Sequence, residues 1–134
     1  MKHILVGFDG STNAHRGLEE ALALAKPDTR ITVVAAAQTP APPGQVLPVG
    51  AEGREERERE LEDARRHLAE AGREAELVVV PGAPADVLVE EAAKRGADLI
   101  VVGRRGLSGA ERLAMGSVSA KVARTAQCSV LIAR

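Results

Sequence analysis

The sequence predicts an α/β protein, a Rossmann-like open sheet of five parallel strands with helices on both faces and an expected strand order of 3-2-1-4-5. Two patterns carry the parallel α/β class, while the strand order is the one common to doubly wound sheets of this kind. Five short apolar, β-branched runs alternate with four stretches of helical periodicity. Those runs are apolar almost throughout rather than at every second residue, as parallel strands covered on both faces require. A length of 134 residues with 45% apolar content suits one domain, residues 1–134, with a single substantial core.

The first strand is the run His3 to Phe8, ending in Asp9-Gly10-Ser11-Thr12. From Ala14 the positions Leu18, Ala21, Leu22 and Ala25 follow helical spacing, and Lys26-Pro27-Asp28 stops that helix. Arg30 to Ala37 is the second strand and completes a βαβ unit. From Gln38 to Gly53 four prolines and three glycines resist both helix and sheet, which predicts a mobile surface loop. It is long against a median of about 4–6 residues, so a lid over a ligand competes with plain disorder.

Arg54 to Ala71 is a charged helix with a narrow apolar stripe of Leu61, Ala64, Leu68 and Ala71, ended by Gly72. Glu55 with Arg59 and Glu62 with Arg66 have i,i+4 spacing, so a solvated face accounts for the charges, and His67 reads as surface. Leu77 to Val80 is the third strand, closed by Pro81-Gly82. Pro84 then opens a helix that Gly96 ends. Asp98 to Val102 is the fourth strand, Ser117 to Ala126 the last helix, and Ser129 to Ala133 the fifth strand. Strict alternation implies right-handed crossovers.

Composition removes several classes of function. A formal charge of −1, from 18 basic and 19 acidic residues, gives no broad cationic footprint for nucleic acid or an anionic membrane. Phe8 is the one aromatic residue, which disfavours modules that stack bases and leaves any bound base to aliphatic walls and backbone groups. With no apolar run of about 18 residues and no signal-like start, the expectation is a soluble, cytoplasmic protein. Cys128 stands alone before an apolar run and reads as a small buried hydrophobe.

The most specific chemical signal is Gly103-Arg104-Arg105-Gly106, nine residues, then Gly116-Ser117-Val118-Ser119, set between a buried strand and a helix. Residues without Cβ let backbone amides approach an anion, and the helix adds unsatisfied donors and the positive end of its dipole. Open α/β sheets bind ligands beyond the carboxyl ends of strands where strand order reverses. If strands one and four meet there, Asp9 and Gly103 face one crevice. A nucleotide fits, with phosphates on the amides of Gly106, Gly116 and Ser117. Carboxylate against triphosphate would repel, so Asp9 suits a ribose hydroxyl or a bridging Mg²⁺. Simpler roles compete: strand-end glycines serve turns, Asp9 could cap a helix although Ser11 or Thr12 is available, and Arg104 and Arg105 could be solvent-exposed.

Over its whole length the chain resembles a single-domain universal stress protein. Ile4 to Ser11, Ala97 to Gly106, and Gly116 to Cys128 match the family's landmarks. The intact G-x2-G-x9-G-[S/T] loop implies the ATP-binding branch. By the same resemblance Asp9 is the nucleotide-contacting aspartate, Val102, Gly103, Arg105 and Gly106 form the fourth-strand loop, and Gly116, Ser117, Val118 and Ser119 form the phosphate-binding turn. The adenine would lie near Gly7 and the second strand, close to Ala35 or Val34. Gly7 stands where a bulkier residue or proline is common, which would loosen the base pocket. Ser129 replaces a common proline at the dimer edge. Family members pair their last strands, implying a homodimer through Val130, Leu131 and Ile132, an apolar edge that otherwise lacks protection.

The function expected is an ATP-binding sensor or regulator in stress response. No GxxxxGK lysine is present and His3, His15 and His67 form no triad or metal cluster, so no general base is evident. The alternatives are a slow Mg-dependent ATPase using Asp9 and a nucleotide-free interaction module. A phospho-acceptor domain is rejected because Pro81-Gly82 stands where its aspartate belongs.

Overall fold

The apolar runs become five strands, β1 (His3–Gly7), β2 (Arg30–Ala37), β3 (Glu76–Pro81), β4 (Leu99–Gly103) and β5 (Ser129–Ala133). Between them lie α1 (Thr12–Leu24), α2 (Ala51–Glu70), α3 (Pro84–Arg95) and α4 (Ser117–Thr125). The structure is a computed structural model and describes residues 1–38, 51–104 and 116–134, excepting the side chains of 51 and 52. The strands pair in the order β3-β2-β1-β4-β5, all parallel, as expected.

Register decides what reaches the top of the sheet. Gly7 lies opposite Val34, and Val6 opposite Val101, so β1 ends beside both β2 and β4. Successive side chains then alternate between two cores. Ile4, Val6, Val33, Ala35 and Val101 pack under α1 and α2 with Leu18, Leu61, Ala64 and Leu68. Leu5, Val34, Ile100 and Val102 pack under α3 and α4 with Val87, Leu88 and Val122. Strand order reverses between β1 and β4, and that is where the crevice opens.

Local chemistry sets the boundaries. Ser11 caps α1, its hydroxyl accepting from the Ala14 amide at 3.1 Å. Pro84 opens α3, and Gly96 ends it with a left-handed φ of 67°. Asp98, expected to start β4, lies before it and accepts from the amides of Lys2 and His3, which pull its carboxyl below the usual carboxylate range. Pro81 extends β3 by pairing with Ala37, tolerable because β3 is an edge strand. The acidic-basic helix begins at Ala51 rather than Arg54, so residues 51–53 of the predicted loop are helical. Residues 39–50 of that loop lie outside the described residues.

One charge assignment on α2 changes. Arg66 pairs with Asp63 rather than Glu62, and Arg65 takes Glu62 at 3.2 Å, both at i,i+3. His67 is half-buried rather than free surface. Its ring stacks on His15 at 5.7 Å, and His15 meets the Phe8 ring edge-on at 4.9 Å. The described residues include no helix long and apolar enough to cross a membrane.

Candidate functional site

A cleft of about 160 Å³ opens above the carboxyl ends of β1, β2 and β4. Of the residues singled out in the sequence for the ligand, Gly7, Asp9, Val34, Val102, Gly103 and Val118 line it. Arg105 and Gly106 lie outside the described residues. The walls are mostly apolar, with Val34, Ala36 and Leu88 beside Val102. Among the described residues of the lining, Asp9 and Arg57 are the charged ones.

Ala35 is not part of this lining. It is wholly buried in the opposite core under α1 and α2, because a strand turns each successive side chain to the other face. Val34, the other residue named for the adenine, lines the cleft, together with Ala36. The period-2 pattern of β2 and its register with Gly7 held that information; a resemblance placed to within one residue could not select the face.

Gly7 does not loosen the pocket. A Cβ there would stand 2.8 Å from Leu88 Cδ1, so Leu88 of α3 occupies the space that a larger residue would fill. Gly103 has a stricter reason. A Cβ there would meet the Asn13 backbone carbon at 2.8 Å and its oxygen at 2.9 Å, so α1 can approach β4 only over a glycine. Part of the glycine pattern therefore serves packing.

Asp9 follows β1 at a half-buried position. Its Oδ1 accepts from the Ser11 amide at 2.9 Å, while the Ser11 hydroxyl caps α1. Asp9 is thus fixed by the turn without being the helix cap.

On the opposite side, Arg104 and Gly116 bracket the 105–115 segment. The Gly116 amide donates to the Arg104 carbonyl at 2.8 Å, and the Ser119 hydroxyl donates to that carbonyl at 2.9 Å and to the Gly116 carbonyl at 3.1 Å. The phosphate role expected for the Gly116 amide is consequently not open to it, and Ser119, 1% exposed, spends its hydroxyl proton on the turn. What remains is the start of α4. Its first intrahelical bond runs from Ala120 to Gly116, so the amides of Ser117, Val118 and Ser119 have no acceptor within the helix. Together with the helix dipole they favour an anion.

Helix α2 adds Arg57, which sequence reasoning assigned to a solvated face, together with the Glu60 it pairs with. Arg57 Nη2 lies 2.5 Å from Glu60 Oε1 and 3.1 Å from Glu56 Oε1. Burial, aided by the negative charges of Asp9 and Glu56 and opposed by Arg57, pushes the Glu60 carboxyl up to about 7. No spacing rule marks these residues, because the helical charge pattern is the same whether an arginine faces water or a cleft.

A doubly wound α/β sheet with a crevice at its switch point, an acidic residue after β1 and an anion-ready helix end after β4 defines a Rossmann-like α/β class. Within that class the chain belongs to the Universal stress protein family, whose family model matches residues 1–134. It is 36% identical to a Thermus aquaticus universal stress protein encoded in the QAH/OAS sulfhydrylase 3' region, covering 99% of this chain and 98% of the relative. It is 45% identical to universal stress protein YxiE of Bacillus subtilis over 74 residues, which are 55% of this chain and about half, 50%, of YxiE. Among solved structures, a universal stress protein in complex with cAMP superposes with a TM-score of 0.77 at 34% identity, covering 99% of this chain and 97% of that one.

Proposed function

We propose that this chain binds an adenine nucleotide in the cleft, ATP in the cell, and acts as a nucleotide-dependent sensor or regulator in the cytoplasm. The observation that carries the reading is the meeting of Asp9 and the amino end of α4 at one apolar cleft on the switch point. The cAMP complex of a relative at 34% identity supports an adenine nucleotide as ligand.

The dimensions favour a division of labour. Ligand pockets commonly span about 300–1,000 Å³. A cleft of about 160 Å³ suits the base and leaves the phosphates outside it, toward Ser117 and Val118. Asp9 accepts from a ribose hydroxyl through its second oxygen, or holds Mg²⁺ that the phosphates share. Arg105 and Gly106 extend the phosphate side on the strength of the sequence pattern.

Binding is favoured over catalysis because the histidines are engaged elsewhere. His3 Nε2 contacts Thr32 Oγ1 at 2.7 Å in the core, and His15 and His67 stack on each other. We further propose a homodimer through Val130, Leu131 and Ile132 of β5, an edge strand with one unpaired side.

Titration with a fluorescent ATP analogue tests the reading, with no Trp or Tyr to contribute background. Saturable binding displaced by unlabelled ATP is expected, and Asp9→Ala should weaken it by at least about tenfold, the worth of a hydrogen bond to a charged group. Absence of saturable binding, or affinity untouched in Asp9→Ala, would remove the proposal.

A further inference from the structure

We propose that Arg57 of α2 contacts the bound nucleotide, its guanidinium plane packing over the base in a position held by Glu60. The inference rests on the nucleotide reading and adds the group that recognises the base. Its first support is placement. Arg57 lines the cleft with Val34 and Ala36 of β2, on the β2 side of β1, whereas α4 follows β4 on the other side. A nucleotide whose phosphates take the amino end of α4 therefore directs its base toward Arg57.

Burial separates Arg57 from its neighbours. Its side chain is 23% exposed, against 61% for Arg65 and 70% for Arg66 on the same helix. Those two pair with carboxylates in solvent, as an ordinary helix surface does. Arg57 instead pairs at Nη2 with the largely buried Glu60, with the exposed Glu56 also within reach, and its Nε and Glu60 Oε2 are buried without a hydrogen-bond partner. Leaving such atoms unpaired is costly, so stability alone accounts poorly for the pair. A fixed cationic plane at the mouth of an apolar cleft does account for it.

The chemistry of the ligand supplies the remaining link. A purine held between aliphatic walls gains further from a flat partner over its face, and the chain has no Trp or Tyr to offer one. Phe8 is 4% exposed and already meets His15 edge-on. A guanidinium is planar and weakly hydrated, and it stacks on aromatic faces, whereas a lysine offers only a point charge. Pairing with Glu60 fixes that plane before the ligand arrives, which limits the ordering cost of binding.

The test is calorimetric titration of the full chain with adenosine, AMP and ATP, comparing wild type, Arg57→Ala and Arg57→Lys. If Arg57 faces the base, Arg57→Ala weakens all three ligands by a similar factor of about ten, and Arg57→Lys weakens them nearly as much. Should Arg57→Ala fail to fold, the lysine variant, with its charge kept and its plane lost, reads the same loss of affinity. Loss confined to AMP and ATP would make Arg57 a phosphate contact and overturn the inference. Unchanged affinities in variants of a wild type that binds would overturn it alone, while a wild type that binds none of the three overturns the nucleotide reading with it.

Discussion

At Gly103 the backbone of β4 passes so close to Asn13 that a single methyl group has nowhere to go. Gly103→Ala should therefore destabilise the fold by about 1–3 kcal/mol, read as a lower midpoint in chemical denaturation. An unchanged midpoint would mean that α1 can shift. Glu60 makes a pH-dependent prediction. Its folded carboxyl titrates near 7, above its ordinary value of 4.5, so the folded state holds the proton more tightly. Its contribution is most favourable below the ordinary value, and it falls as pH rises through that window. Glu60→Gln should flatten the stability profile between about pH 5 and 7, and a profile of unchanged slope would contradict the burial argument. The place of Asp9 at the crevice was legible because it ends a strand at the switch point, whereas the sequence marked a turn at Gly116 without showing that the Arg104 carbonyl takes its amide. Arg57 was not legible, since a solvated helix face and a cleft wall share one charge pattern. Ala35 was misplaced for a different reason: neighbouring strand residues differ only in face, and the alternation fixes the face once the register is known.

At the scale of elements, the sequence marked ends well where one residue type does the ending. Ser11, Pro84 and Gly96 act by capping, a fixed φ and a left-handed φ, and all three stand where expected. The start of α2 was harder. Gly53 follows a proline-rich segment and signals a loop by composition, yet it lies inside a helix that packs on β2 and β3 through Leu61, Ala64 and Leu68. Tertiary burial of that stripe outweighs the weak helix propensity of one glycine, about 1 kcal/mol. Helix α4 shows the opposite case, with its position as expected but its donors redistributed, because the Gly116 amide closes the neck of the preceding segment. For β5, the proposed dimer predicts that sedimentation equilibrium of the wild type gives twice the chain mass of 14.0 kDa. A monomeric wild type would exclude the β5 interface.

For the whole molecule, the order β3-β2-β1-β4-β5 follows from strict alternation, right-handed crossovers and the resemblance together. That order brings residues nearly a hundred positions apart, Asp9 and Gly103, to one crevice. In the proposed complex an adenine nucleotide sits there, its base toward β2 and its phosphates toward α4. A titration of isotope-labelled protein with AMP, followed through backbone amide NMR shifts, reads that placement residue by residue. Saturable shifts are expected at Gly7, Asp9, Gly103, Ser117 and Val118, with residues of the distant groove at Ala69, Arg73 and Leu77 unmoved. Saturable shifts centred on that groove, or none at any nucleotide concentration, would contradict it.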